Sequence, residues 1–264
     1  MMLMVGGRPR AVLHYWCGKH PGRVGILLSP QHYEKQINVI PEWCPYALDN
    51  DAYTAWANKT EWRVDVWRGM LDKMKIQSHK PRWVLVPDMV ANRAATLENW
   101  KRYAPEAAAY GRPLAFAVQD GMKPDDVPNN AAVIFVGGTT EWKWRTVPMW
   151  TQNFPRVHVG RVNELRRLWT CDEYGVESAD GSGWMKKTPD GRMAQRLEMW
   201  LDGHRNETPE LPMAHDLRPN AQPKQHPAMS ADPSAPIATE VGGPARSGVG
   251  GVLLSRSWRS SRPI

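Results

Sequence analysis

Cysteine is scarce in this chain and phenylalanine almost missing: three of each stand among 264 residues, against 14 tryptophans. Cys17, Cys44 and Cys171 are scattered, with no CxxC pair, so neither a zinc ribbon nor a disulfide framework is encoded. Such a sparse, odd set suits reduced thiols in a cytoplasmic compartment. No run approaches the roughly 18 apolar residues that a membrane span requires. The opening MMLMVGGRPR is too short in its apolar part for a secretory leader, so a soluble protein is expected. With so little Phe, aromatic burial falls to Trp, whose single N–H then needs a partner.

What is present is a basic balance, net charge +7 and pI about 9.4, together with 42% hydrophobic residues. The charge suits a polyanion such as DNA or RNA as partner, although many basic proteins bind neither. Composition shifts near residue 205. Beyond it Pro, Gly, Ser and Ala dominate and apolar residues show no period, so 205–264 is expected to be a disordered tail. Its basic end, VLLSRSWRSSRPI, can touch phosphate or simply be solvated. Residues 1–204 are expected to form one domain.

That domain repeats short, nearly continuous apolar runs of the kind found in buried parallel strands. They are AVLHYW (11–16), VGILLS (24–29), YALDN (46–50), RWVLVPD (82–88), LAFAVQD (114–120), AVIFVGG (132–138), RVHVGR (156–161) and VESADG (176–181). Amphipathic stretches lie between several of them. In 60–76, Trp62, Val66, Met70 and Met74 recur at helical spacing, and 92–103 and 163–174 read the same way. Asn92 and Asn163 fit N-caps and Gly175 a C-terminal stop. Strand and helix in alternation imply right-handed βα units. Eight strands allow a closed (β/α)8 barrel, irregular at its N-terminal strands because the first two connections look too short for helices. An open doubly wound sheet is the alternative.

In α/β barrels chemistry sits at the carboxyl ends of the strands. Here those ends carry Asp49, Asp88, Gln119 with Asp120, Gly137 with Gly138, Gly160 with Arg161, and Asp180. One Asp after a strand is ordinarily a turn former. Six polar strand ends are harder to dismiss, because buried unpaired carboxylates are expensive. A carboxylate pair supports glycosyl chemistry: one attacks the anomeric carbon while the other moves a proton on the leaving group. The amide of Gln119 suits a base edge, Asp88 can accept two N–H bonds from guanine, and backbone N–H groups at Gly137 and Gly138 can donate to its carbonyl. His158, inside an apolar strand, reads as a packing residue before a ligand. Arg161, Arg166 and Arg167 can contact phosphate, the latter two equally forming a solvated helix face. Trp142 and Trp144 can stack on a flipped base or simply pack.

These segments, ALDNDAY (47–53), VPDMVANRAATLENW (86–100), FAVQDGM (116–122), FVGGTTEWKWRT (135–146), VHVGRVNELRRL (157–168) and GVESADGSG (175–183), resemble in order and spacing the tRNA-guanine transglycosylase superfamily. They look closest to its DNA-modifying 7-deazaguanine branch, found in phages and bacterial islands. The resemblance covers roughly residues 24–200. It implies Asp180 as a nucleophile forming a covalent glycosyl intermediate, and Asp49 as the proton shuttle between leaving and incoming base. It implies Asp88 and Gln119 as readers of the purine, and Gly137 and Gly138 as the glycines closing the pocket.

Two departures from the family pattern matter. The tRNA enzymes carry a three-cysteine-one-histidine zinc site after the nucleophile, whereas here Cys171 is nearby but precedes Asp180. The resemblance therefore points to DNA, with tRNA as the alternative, and to no metal and no energy cofactor. The incoming partner is a free base such as 7-cyano-7-deazaguanine. Second, Asp51 stands where a small residue is expected, which Asp tolerates if φ is positive. A non-catalytic nucleic-acid-binding relative and a glycoside hydrolase are the rival readings.

Overall fold

A computed structural model describes residues 1–6, 11–38, 40–185 and 192–203. The described residues all belong to one compact unit. The expected tail, 205–264, lies outside the described residues.

Eight parallel strands close into a barrel in sequential order, each hydrogen-bonded to the next and the eighth back to the first. In chain order the elements are β1 (Met2–Gly6), α1 (Ala11–Lys19), β2 (Val24–Leu28), α2 (Tyr33–Ile37), β3 (Tyr46–Leu48), α3 (Ala52–Ala57) and α4 (Val64–Ile76). They continue with β4 (Val84–Leu85), α5 (Arg93–Ala108), β5 (Leu114–Val118), β6 (Val133–Val136), α6 (Thr140–Asn153), β7 (Val157–Val159), α7 (Leu165–Glu173), β8 (Ser178–Gly181) and α8 (Arg192–Leu201). The protein is thus a (β/α)8 barrel, not an open sheet. No helix among the described residues is long and apolar enough to cross a membrane.

The sequence-based expectation fails at the first strand. Segment 11–16 is helical, and the first strand is the run MLMVG at 2–6. Both runs are short and apolar, so length cannot separate them, but spacing can. Leu13, Trp16 and Cys17 are buried while Tyr15 is exposed, an i, i+3, i+4 pattern that only a helix satisfies. With the strand moved to 2–6, the first connection has room for α1 and the second holds the single turn of α2. In α4 the buried stripe is Trp67, Met70, Leu71 and Met74; Trp62 precedes the helix. Asn92 caps α5, its side chain accepting from Ala95 N. Asn163 does not cap α7; it accepts from Gly183 N at 2.8 Å. Gly175, φ +69, ends α7 as expected.

Strand side chains alternate between two cores. Met2, Met4, Leu27, Ala47, Trp83, Leu85, Ala115, Ala117 and Val133, with Phe135 against them, fill the barrel interior. The larger cluster lies between strands and helices. Period two then sets the site: Asp49 follows Ala47 in the inward phase, Gln119 follows Ala117, and Gly137 follows Phe135. On β8 the inward phase carries Ser178 and Asp180, opposite His158 of β7. A chain ending at residue 204 should therefore unfold within a few degrees of full-length protein, because α8 already buries Leu197, Trp200 and Leu201. Loss of the cooperative transition in a thermal melt would refute that.

Candidate active site

A cavity of about 610 Å³ opens at the carboxyl ends of the strands, within the ordinary range for small-molecule sites. Asp49, Asp88, Gln119, Gly137, Gly138, Arg161 and Asp180 all line it, as do Asn50 and Asp51. Although the chain is basic, four carboxylates face this space.

Asp180 is held from one side. His158 Nε2 and Arg161 N both reach its Oδ1, each at 3.1 Å. His158 is wholly buried, stacks on Phe135 (centroids 4.8 Å apart) and meets the edge of Trp83. Its Nδ1 lies 2.8 Å from Ser178 Oγ. An ionised Asp180 can only accept, so Nε2 carries the proton and, in a neutral ring, Nδ1 accepts from the Ser178 hydroxyl. His158 is therefore both a packing residue and the side chain that orients Asp180. Strand alternation puts His158 in the inward phase of β7, but its register with Ser178 emerges only once the barrel closes.

Across the cavity, burial first, then the charges of Asp180 and Asp51, push Asp49 up to about 8. Asn50 N donates to its Oδ1 at 2.8 Å and only partly offsets this. Asp88 is pushed up to about 6, chiefly by burial. It is clamped on both oxygens, by Asn50 Nδ2 and Gln119 Nε2, each at 2.7 Å. Asn50 also donates to Val86 O and accepts from Ala52 N, tying β3 to β4. Residue type alone did not single out Asn50 as this strut.

The structure corrects the expectation for the two glycines. Gly137 N donates to Val118 O in the barrel ladder, and Gly138 N donates to Gln119 Oε1 at 2.9 Å. Neither amide is free to meet a ligand carbonyl, because each is needed to satisfy buried backbone and side-chain acceptors. The glycines are required instead by space. A Cβ on Gly137 would stand 2.8 Å from Gln119 Nε2. At Gly138, φ +68, it would stand 2.6 Å from Asp120 Oδ2 and 2.7 Å from the Trp142 ring. Gly138→Ala should thus cost about 1–3 kcal/mol in urea denaturation; an unchanged midpoint would show that the loop adapts freely. Asp120 itself turns to Thr139, accepting from its N and Oγ1 at the start of α6.

Backbone strain gathers here. Of the four non-glycine residues with positive φ among those described, Asp51 (φ 64), Ala91 (φ 55) and Arg161 (φ 59) belong to this mouth. Ala91 N donates to Gln119 Oε1, and Arg161 N to Asp180. The Arg161 guanidinium donates to Gly138 O and lies 4.4 Å over the exposed Tyr53 ring. Strain of this kind persists where surrounding contacts fix it and is common at functional sites.

Four residues expected to touch nucleic acid do not line the cavity. Trp142 is buried against Trp150, and Trp144 lies beneath the Arg167 guanidinium at 4.4 Å. Both tryptophans sit on α6, Trp142 buried and Trp144 half-buried. Arg166 is exposed on α7, outside the barrel wall. Among the described residues no group of three or more His, Cys, Asp and Glu side chains is placed to hold a metal ion. No protein-family model matches the chain, and no curated protein is found to match it.

Proposed function

We propose that this barrel exchanges guanine in nucleic acid, DNA in the first instance, for a 7-deazaguanine base, with Asp180 as nucleophile. The observation that supports this most is the division of labour between two carboxylates on one cavity. Among the described residues, the two side-chain hydrogen bonds of Asp180 both fall on Oδ1. Asp49 is held protonated to about pH 8. An ionised attacker and a protonated donor are what departure of a base from C1′ needs.

In this reading the target nucleotide leaves the stack and enters the cavity. Asp180 Oδ2 bonds to C1′, the C1′–N9 bond breaks, and its electron pair goes to guanine. Asp49 delivers the proton, so guanine departs neutral. The incoming 7-deazaguanine gives its N9 proton to the Asp49 carboxylate. Its N9 then bonds to C1′ and releases Asp180. No redox or energy cofactor enters this balance.

Asp88 faces the guanine N1–H and 2-amino donors; each of its oxygens has a lone pair beyond those used by Asn50 and Gln119. The second Nε2 hydrogen of Gln119 takes over the part first assigned to the Gly137 and Gly138 amides, donation to the base carbonyl. Net positive charge supplies salt-sensitive backbone affinity. The test is an exchange assay: labelled guanine should enter DNA, and unlabelled guanine should compete with a 7-deazaguanine. Asp88→Ala should weaken both by about tenfold or more, since each lost partner costs about 1–3 kcal/mol. A wild-type enzyme indifferent to free guanine refutes the purine reading and leaves sugar hydrolysis as the better account. Exchange into tRNA but not DNA would overturn the choice of substrate alone.

A further inference from the structure

Lys143 is 1% exposed, and a lysine is almost never this buried without a partner. It stands on α6 and donates through Nζ to Gly160 O, at the end of β7. The Gly160 carbonyl and the Arg161 N–H belong to one peptide unit, and that N–H reaches Asp180 Oδ1 at 3.1 Å. Ammonium, carbonyl, amide and carboxylate thus follow one another through a single planar group. A hydrogen bond at the carbonyl oxygen draws density from the amide nitrogen and strengthens its N–H as a donor. The unit also carries strain, since Arg161 has φ +59, and a strained peptide keeps its orientation only if something fixes it.

We propose that Lys143 is a positioning residue for Asp180: it anchors and polarises the Gly160–Arg161 peptide, whose N–H fixes Oδ1 and leaves Oδ2 for the reacting carbon. The groups facing it are the side chains of Arg161, Arg167, Asp180 and Cys171, with the Trp144 ring 5.3 Å from Nζ. Burial, then the Arg161 charge, push the ammonium down to about 8, with Asp180 holding it up. Asp180 in turn is faced by His158 and Asp49. A lysine that merely filled space would leave the carboxylate indifferent to it.

The inference rests on Asp180 being the nucleophile for its consequence, but its test reads the carboxylate directly and does not depend on base exchange. Aspartate labelled with 13C at the carboxyl carbon is followed by NMR against pH in Asp49→Asn protein, which removes the neighbouring titration. Adding Lys143→Met should raise the midpoint of the Asp180 titration by at least about half a pH unit. Lys143→Gln, which keeps an N–H donor without charge, should recover part of that shift. A midpoint unchanged in folded Lys143→Met protein overturns the proposal. A measurement without any Lys143 substitution decides the matter if those variants do not fold. As Lys143 loses its proton near pH 8, the Arg161 amide and Asp180 carboxyl resonances of Asp49→Asn protein should move together. Resonances that ignore that step overturn the proposal equally. Absence of exchange activity in wild type, with the coupling present, would instead remove the assigned chemistry and leave the relay standing.

Discussion

Asp180→Asn should lower base exchange by at least about a thousandfold while leaving nucleic-acid binding within about twofold of wild type. The amide keeps the size of the side chain, so His158 and the Arg161 amide still find an oxygen at the Oδ1 position. What is lost is the charge that attacks C1′. Wild-type protein quenched during turnover should hold a DNA adduct, resistant to mild denaturation, on the peptide containing Asp180. The variant should hold none. Binding without an adduct in either protein would assign the cavity to recognition alone and favour a non-catalytic relative. Substantial exchange by Asp180→Asn would move the nucleophile elsewhere.

Asp49→Asn should both block exchange and reshape the pH dependence of stability. The folded protein holds a proton on Asp49 up to about pH 8, whereas the ordinary value is 3.8. Between those limits the folded state binds a proton that the unfolded chain has released. Stability therefore falls as pH rises from about 4 to about 8, and levels off above that. Asp88, pushed to about 6, adds a second loss over its own lower window. Removing the Asp49 titration should make the variant more stable than wild type at pH 9 by an amount on the order of a few kcal/mol, relative to the difference at pH 4. Urea denaturation at the two pH values reads it. A wild-type stability flat from pH 5 to 9 would show that Asp49 ionises as an ordinary carboxyl. Exchange activity should also decline above pH 8 as the proton donor is lost, and be near zero in Asp49→Asn at every pH.

Much of this site is legible in the chain because the barrel rule and strand period act together. Once Ala47, Ala117 and Phe135 are inward, Asp49, Gln119 and Gly137 must be inward too. The cap at Asn92 and the stop at Gly175 depend on local chemistry and were readable for the same reason. Other features depend on what meets what. The first strand and first helix are both short apolar runs, and burial against the sheet decides which is which. The Gly137 and Gly138 amides look free in sequence, yet Val118 O and Gln119 Oε1 occupy them once the barrel closes. Asn50, His158 and Lys143 have no motif of their own. Their roles arise from neighbours 38, 22 and 17 residues away, namely Asp88, Asp180 and Gly160. Conversely, Trp142 resembles a stacking residue in sequence, yet α6 buries it against Trp150.

The positive φ at Asp51 connects the two levels. Sequence placed Asp where a smaller residue was expected, and the backbone there is left-handed, φ 64 and ψ 14. Asp adopts this conformation more readily than most residues. Its carboxylate adds negative charge beside Asp49, and so contributes to holding the proton there.

The central claim is tested most directly by nucleoside mass spectrometry of DNA and tRNA from cells supplied with a 7-deazaguanine base, with and without this protein. A 7-deazaguanine nucleoside in DNA, present with wild type and absent with Asp180→Asn, is the expected result. Its absence from both nucleic acids, with the protein folded and expressed, contradicts the account.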